Sequence, residues 1–179
     1  AHTMKFISHS PAETGDFAKK FIDSVISARL AENSGNKASG AFILGLYGNL
    51  GSGKTAFTQA VAEILGVQDK VTSPTFVIEK IYPLVHSLFT VDSQSSTQSF
   101  PPNRGTFTHL IHIDAYRLES SDEIRHLGWD EISADPHNLI IIEWPEKIAE
   151  VLPADHTRLK FTFIDETTRE IETDYEMVQ

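Results

Sequence analysis

The sequence predicts one α/β domain: an open, mostly parallel sheet flanked by helices, with an antiparallel hairpin at its C-terminal end. Three observations carry that reading. A strand-length apolar run, a glycine-rich loop and a helix-spaced apolar pattern follow one another over residues 41–66. Four aliphatics, Leu139-Ile140-Ile141-Ile142, end in the acid Glu143, as a strand buried on both faces would. Leu159, Phe161 and Phe163 alternate before Asp165-Glu166-Thr167-Thr168, and Ile171 and Tyr175 mark a return strand, so a hairpin is expected at the sheet edge.

Size and composition bound the rest. The chain has 179 residues, of which 40% are hydrophobic, enough for one core over residues 1–179 and too few for two comfortable domains. Ala1-His2-Thr3 before Met4 reads as an expression remnant. With no cysteine, disulfides and thiolate metal sites are excluded. No apolar run has the length of a membrane span and no signal peptide is visible, which fits a cytoplasmic protein without a membrane partner. The formal net charge of −10 makes nonspecific grip on RNA or DNA unfavourable, because phosphate contacts need basic surface. Any tie to RNA is therefore expected to run through a partner.

In chain order, Ser10-Pro11-Ala12-Glu13 is a capping box with proline at the first helical position, opening a helix to about Leu30. Residues 31–40 are polar and glycine-bearing, hence a loop. The loop carries Asn36-Lys37 without the aspartate of a guanine-reading N-K-x-D signal. Residues 41–47 form a strand. Gly48-Asn49-Leu50-Gly51-Ser52-Gly53-Lys54-Thr55 then matches G-x-x-x-x-G-K-[ST], the phosphate-cradling loop of nucleoside triphosphatases. Its glycines let the backbone curl and aim N–H groups at phosphate oxygens. Lys54 brings positive charge to the outer phosphates, Thr55 offers a hydroxyl to magnesium, and the helix over residues 56–65 points its positive end at the same anion, with Gly66 as its stop.

Beyond the loop, Thr72, Ser73 and Thr75 surround Pro74 and give two readings: ordinary turn chemistry, or a switch segment meeting the terminal phosphate or its metal. Residues 76–82 read as a strand. Residues 83–109 form a mobile insertion rich in Ser, Gln and Pro, read as a disordered hairpin tip or a partner-docking loop. Strand character resumes over residues 110–118, with His112 and Asp114 on one face. Asp114 is placed to bind magnesium directly or through water, to position attacking water, or to pair with Arg117. A zinc site at His109, His112 and Asp114 lacks a third well-placed ligand. Ser120-Ser121-Asp122-Glu123 caps a short helix ending near Gly128. Glu143, at the C-terminal edge of its strand, falls where a Walker-B acid falls, and Trp144 either packs or walls the nucleotide site.

These motifs, in the order Gly-Asn-Leu-Gly-Ser-Gly-Lys-Thr, Thr-Ser-Pro-Thr-Phe, His-Ile-Asp-Ala-Tyr-Arg-Leu and Ile-Ile-Glu-Trp-Pro-Glu, resemble the TsaE family, formerly YjeE, small bacterial ATPases of tRNA threonylcarbamoyladenosine synthesis. The likeness runs from residues 10–14 to the last hairpin; the 83–109 insertion is longer than the family leads one to expect. The resemblance implies ATP with Mg2+ as cofactor, and TsaD and TsaB as partners that carry out the modification of adenosine 37, tRNA being met through them. It implies that residues 48–55 hold the phosphates and that Thr55 and Glu143 hold magnesium. Asp114 becomes a second catalytic acid, Thr75 part of a switch, Trp144 a neighbour of the nucleotide, and residues 10–14 an approach to the adenine.

Mechanistically, Lys54 and magnesium are expected to stabilise charge on the terminal phosphoryl group while a carboxylate orients water. No cis arginine finger stands out beyond the candidates Arg117 and Arg169, so hydrolysis by the isolated chain is expected to be slow. A small-molecule kinase sharing the loop, and a nucleotide-dependent binding module that does not hydrolyse, are the competing readings.

Overall fold

Alternation along the strands decides what each face of the sheet buries, and so which side chains reach the glycine-loop edge. The computed structural model describes residues 3–33, 40–67, 79–84 and 106–177. In chain order these form β1 (Met4–Ser8), α1 (Pro11–Asn33), β2 (Phe42–Tyr47), α2 (Lys54–Ile64), β3 (Glu79–Pro83), β4 (His109–Asp114), α3 (Ser121–His126), α4 (Trp129–Ala134) and β5 (Asn138–Glu143). A 3₁₀ turn over Pro145–Ile148, β6 (Thr157–Phe163) and β7 (Arg169–Thr173) complete them. The sheet order is β1-β7-β6-β2-β5-β4-β3. Its centre, β6-β2-β5-β4, is parallel, and the outer pairs β1–β7, β7–β6 and β3–β4 are antiparallel. The expected open, mostly parallel α/β sheet is therefore observed.

One face carries Leu44 and Leu46 of β2, Leu110 of β4, Leu139 and Ile141 of β5 and Phe161 of β6, packed under α1 and α2. There Phe21 is fully buried, with its ring 6.1 Å from Phe17, 6.2 Å from Phe57 and 5.2 Å from Tyr175. The other face carries Ile43, Ile111, Ile113, Ile140 and Ile142, covered by Ile124, Trp129 and Ile148 from α3, α4 and the 3₁₀ turn. All six residues of β5 are buried, which is why that strand reads as an unbroken aliphatic run.

The α1 start keeps the expected capping logic with one change. Ser10 Oγ accepts the Glu13 N–H at 3.1 Å, while the Glu13 carboxylate reaches past the cap to the His9 N–H. The helix runs three residues beyond the expected Leu30. Gly66, at φ 77°, follows α2 as its left-handed stop.

Four expectations change. The β6–β7 hairpin is not the sheet edge: β6 runs parallel to β2 and β7 is covered by β1, a strand too short to announce itself. The strand expected over residues 110–118 ends at Asp114, because the chain then enters a turn closed by the Leu118 N–H donating to Ala115 O at 3.0 Å. Gly128 ends α3 and also precedes a further helix, α4. Ser120 stands at the α3 start, but no side-chain cap bond is made there. Of the strand expected over 76–82, residues 79–82 lie in β3, while residues 76–78, the 72–75 segment with Thr75, and 85–105 of the insertion lie outside the described residues.

Truncating the ring that joins α1, α2 and the C-terminal tail tests this packing. Phe21→Ala should cost about 3–5 kcal/mol in urea unfolding, the range for a buried phenylalanine, and a loss below about 1 kcal/mol would show the core is not built this way.

Candidate functional site

The site follows from the register of three parallel strands. Leu46 of β2 is aligned with Glu143 of β5, and Glu143 with Asp114 of β4. The glycine loop leaves β2 just beyond that level, so Lys54 and the two acids meet at the C-terminal edge of the strands, where open α/β sheets bind ligands.

The loop geometry demands glycine at Gly48. Its φ is 143°, and a Cβ there would lie 2.5 Å from Phe161 O and 2.8 Å from Ser52 Oγ. Gly51 and Gly53 also take positive φ, 75° and 104°, and Gly53 directly precedes α2. The result is a curl at the positive end of α2. Ser52 Oγ is buried inside it with no hydrogen-bond partner among the described residues. Leu50 at the tip is 77% exposed. Asn49 O accepts the Ser52 N–H at 3.2 Å, and Thr55 lies exposed in the first turn of α2.

Lys54 is buried, its ammonium donating to Gly48 O and lying 4.2 Å from the centre of the Trp144 ring. Burial strips water from the ammonium and lowers its pKa; Glu143, Glu146 and Asp114 oppose that shift. Trp144 takes φ 56° and ψ 51°, the one left-handed non-glycine among the described residues, which swings the chain from β5 into the 3₁₀ turn and lays the indole over Lys54. The half-exposed Tyr116 covers the indole, ring centres 5.1 Å apart.

Glu143 is buried and its Oε2 lies 3.0 Å from His112 Nε2. Asp114 is half-buried and its Oδ1 accepts the Tyr116 N–H at 3.0 Å. Burial pushes the Asp114 carboxyl upward and the charge of Glu143 adds to this, against the Tyr116 N–H, His112 and Lys54. Among the described residues no group of three or more His, Asp or Glu side chains converges as a ready metal cage. A donor set of one or two carboxylates and a threonine hydroxyl suits Mg2+, which keeps waters and shares substrate phosphates.

Of the two arginine candidates, Arg169 reaches the loop: its Nε donates to Gly51 O at 3.1 Å and its guanidinium lies 4.6 Å from the centre of the Phe163 ring. Arg117 is exposed beyond β4. A cavity of about 280 Å³ opens beside the loop between Ser10, Pro11, Thr14, Ala56, Thr167 and Arg169. A larger one, about 400 Å³, lies at the opposite strand ends among Arg29, Phe42, Trp129 and Tyr175, away from the glycine loop and its acids.

Sequence reasoning missed the His112–Glu143 bond, the Tyr116 cover over Trp144 and the nearness of Glu146 to Lys54. The two-residue spacing of His112 and Asp114 was the one available signal. Beneath the loop, Tyr47 OH donates to His156 Nε2 at 2.7 Å while His156 Nδ1–H donates to Pro153 O at 2.7 Å, a pair not anticipated either.

The family model described as "Threonylcarbamoyl adenosine biosynthesis protein TsaE" matches residues 8–171. A Streptomyces coelicolor protein named tRNA threonylcarbamoyladenosine biosynthesis protein TsaE is 39% identical over 116 residues, 64% of each chain, so the match spans just under two thirds of that relative. A Rickettsia bellii protein of the same name is 31% identical over 164 residues, covering 91% of this chain and 89% of its own. The crystal structure of Bacillus subtilis YdiB superposes with a TM-score of 0.59 at 25% identity, covering 96% of this chain and 84% of that one. The fold is accordingly P-loop NTPase-like.

Two predictions arise from this geometry. Gly48→Ala should lose about 1–3 kcal/mol of stability from the forced backbone conformation, measured by chemical denaturation, and an unchanged midpoint would refute the tight curl. His156 is held neutral in the fold, its pKa lowered chiefly by burial, while the unfolded imidazole titrates near 6.5. Its contribution is thus complete above the unfolded value and is lost as pH falls from there through the folded one. Unfolding midpoints taken from about pH 7.5 to 5.5 should fall more steeply for the wild type than for His156→Gln, and parallel curves would contradict this.

Proposed function

The chain belongs to the TsaE family, and from that premise we infer that it is a Mg2+-dependent ATPase serving tRNA N6-threonylcarbamoyladenosine formation together with TsaD and TsaB. The observation that carries the reading is the meeting, at one sheet edge, of a left-handed glycine curl, a buried lysine and two acids from adjacent parallel strands. An orphaned Ser52 hydroxyl inside the curl and a Cβ-excluding position at Gly48 suit a phosphate chain passing close to backbone.

In this reading residues 48–55 bind the triphosphate through backbone N–H groups and the α2 dipole. Lys54 leaves the Gly48 carbonyl and the Trp144 face for the outer phosphates, where its desolvated charge acts strongly. Thr55 and Glu143 hold the magnesium ion, which neutralises charge on the phosphates when bound. Asp114, its carboxyl pushed upward by burial, orients or accepts a proton from attacking water. Trp144 walls the site, and Thr75 serves as a switch hydroxyl. The cavity beside Pro11, Thr14 and Ala56 takes the adenine, which gives residues 10–14 their role. The ends of the expected 83–109 insertion belong to the sheet and its core, as Pro83 in β3, the buried Leu84 and Phe107, and His109 in β4, so any partner-docking role falls to residues 85–105, outside the described residues.

The acidic surface suits contact with partner proteins rather than direct grip on tRNA, and the expected site of action is the cytoplasm. Arg169, engaged with the Gly51 carbonyl, approaches the loop as backbone support, so turnover of the isolated chain is slow and partners accelerate it.

The test is reconstitution. ATP turnover should be slow alone, rise with TsaD and TsaB, and fall by about 100-fold or more in Lys54→Ala, with modification of the tRNA stopping short of repeated turnover when this chain is left out. Hydrolysis indifferent to Lys54→Ala, or modification indifferent to the protein, would overturn the reading.

A further inference from the structure

His112 has no part in the reading so far, yet it is among the most deeply buried polar side chains described, 1% exposed. Parallel register pairs His112 with Ile141, two residues before the Asp114–Glu143 level, so the imidazole rises on the same face as Glu143 and beneath it. Its Nε2 meets Glu143 Oε2 at 3.0 Å. A carboxylate only accepts, so Nε2 carries the proton. Nδ1 has no partner among the described residues. Glu143 is therefore the group that orients this ring, and the ring is the donor that orients Glu143. A site that needed only volume would be filled more favourably by an aliphatic side chain, because a buried nitrogen without a partner costs stability.

We propose that His112 is a positioning residue: its Nε2–H holds one oxygen of Glu143 and so fixes the carboxylate orientation that serves the divalent cation. The proposal rests on the reading of Glu143 as an acid of the metal site. The physics is that of an outer-shell donor, which fixes the rotamer of a ligating group buried out of reach of water. It also keeps Glu143 from swinging onto the Lys54 ammonium, whose charge it already feels. Lys54 is then left free for phosphate.

The test measures binding of AMP-PNP by calorimetry with and without Mg2+, the ratio of affinities giving the metal coupling. Three variants are compared, each checked for folding by circular dichroism. Glu143→Gln should abolish most of the coupling. His112→Leu should reduce it by about 10–100-fold, the usual cost of losing an outer-shell partner. His112→Gln, whose amide nitrogen can stand in for Nε2, should recover most of it, a rescue that mere space-filling does not give. If Glu143→Gln keeps the coupling, the reading of Glu143 fails and takes this proposal with it. If Glu143→Gln loses coupling while His112→Leu keeps it, or if His112→Gln is no better than His112→Leu, the positioning role alone is overturned. Should His112→Leu not fold, His112→Gln decides: coupling near the wild-type value supports the proposal, and coupling as low as that of Glu143→Gln overturns it.

Discussion

The alignment of three parallel strand ends is the constraint on which everything else depends. Because β2, β5 and β4 are in parallel register, Leu46, Glu143 and Asp114 stand at one level, and the chain that leaves β2 must pass beside both acids. That register is held by aliphatic side chains on both faces, Leu139 and Ile141 toward α1 and α2, Ile140 and Ile142 toward α3 and α4. A slip by one residue would turn Glu143 to the opposite face and bury an aliphatic where the acid now stands. The core therefore does more than stabilise the fold; it sets which chemistry appears at the edge.

At that edge the molecule holds several arrangements that a purely stable protein would avoid. A lysine ammonium is desolvated, Trp144 takes a left-handed backbone conformation, and Asp114 has its carboxyl pushed upward. Each costs stability, and together they cluster around one concavity, as perturbed and strained groups do where ligands bind. The Tyr47–His156 pair is the counterpart below the loop: fully hydrogen-bonded and neutral, it anchors the end of β2 from the other face. The β6–β7 hairpin anchors the loop from the side through Arg169 and the Gly51 carbonyl.

Much of this was legible in the sequence because it is local. The glycine spacing, the flanking strand and helix, and the aliphatic run ending in Glu143 are contiguous signals whose periodicity belongs to one element each. What was not legible is non-local. The five residues of β1 carry no pattern distinct from a chain terminus, and their strand character comes from pairing with β7 some 165 positions away, as Lys5 with Glu172 or Phe6 with Ile171. That β6 lies inside the sheet depends on its pairing with β2, which alternation within β6 cannot reveal. The six residues of α4, Trp129-Asp130-Glu131-Ile132-Ser133-Ala134, are too few for a helical period to stand out. His112 and Glu143 are 31 residues apart, and only strand register brings imidazole to carboxylate.

The function of this edge turns on what occupies the curl between β2 and α2. The most direct measurement is a crystal structure of the chain grown with AMP-PNP and Mg2+. The triphosphate should lie along residues 48–55, with Lys54 drawn from Gly48 and Trp144 to the outer phosphates and the metal beside Thr55 and Glu143. Nucleotide found instead in the cavity at the opposite strand ends, with Lys54 still bonded to the Gly48 carbonyl, would contradict it.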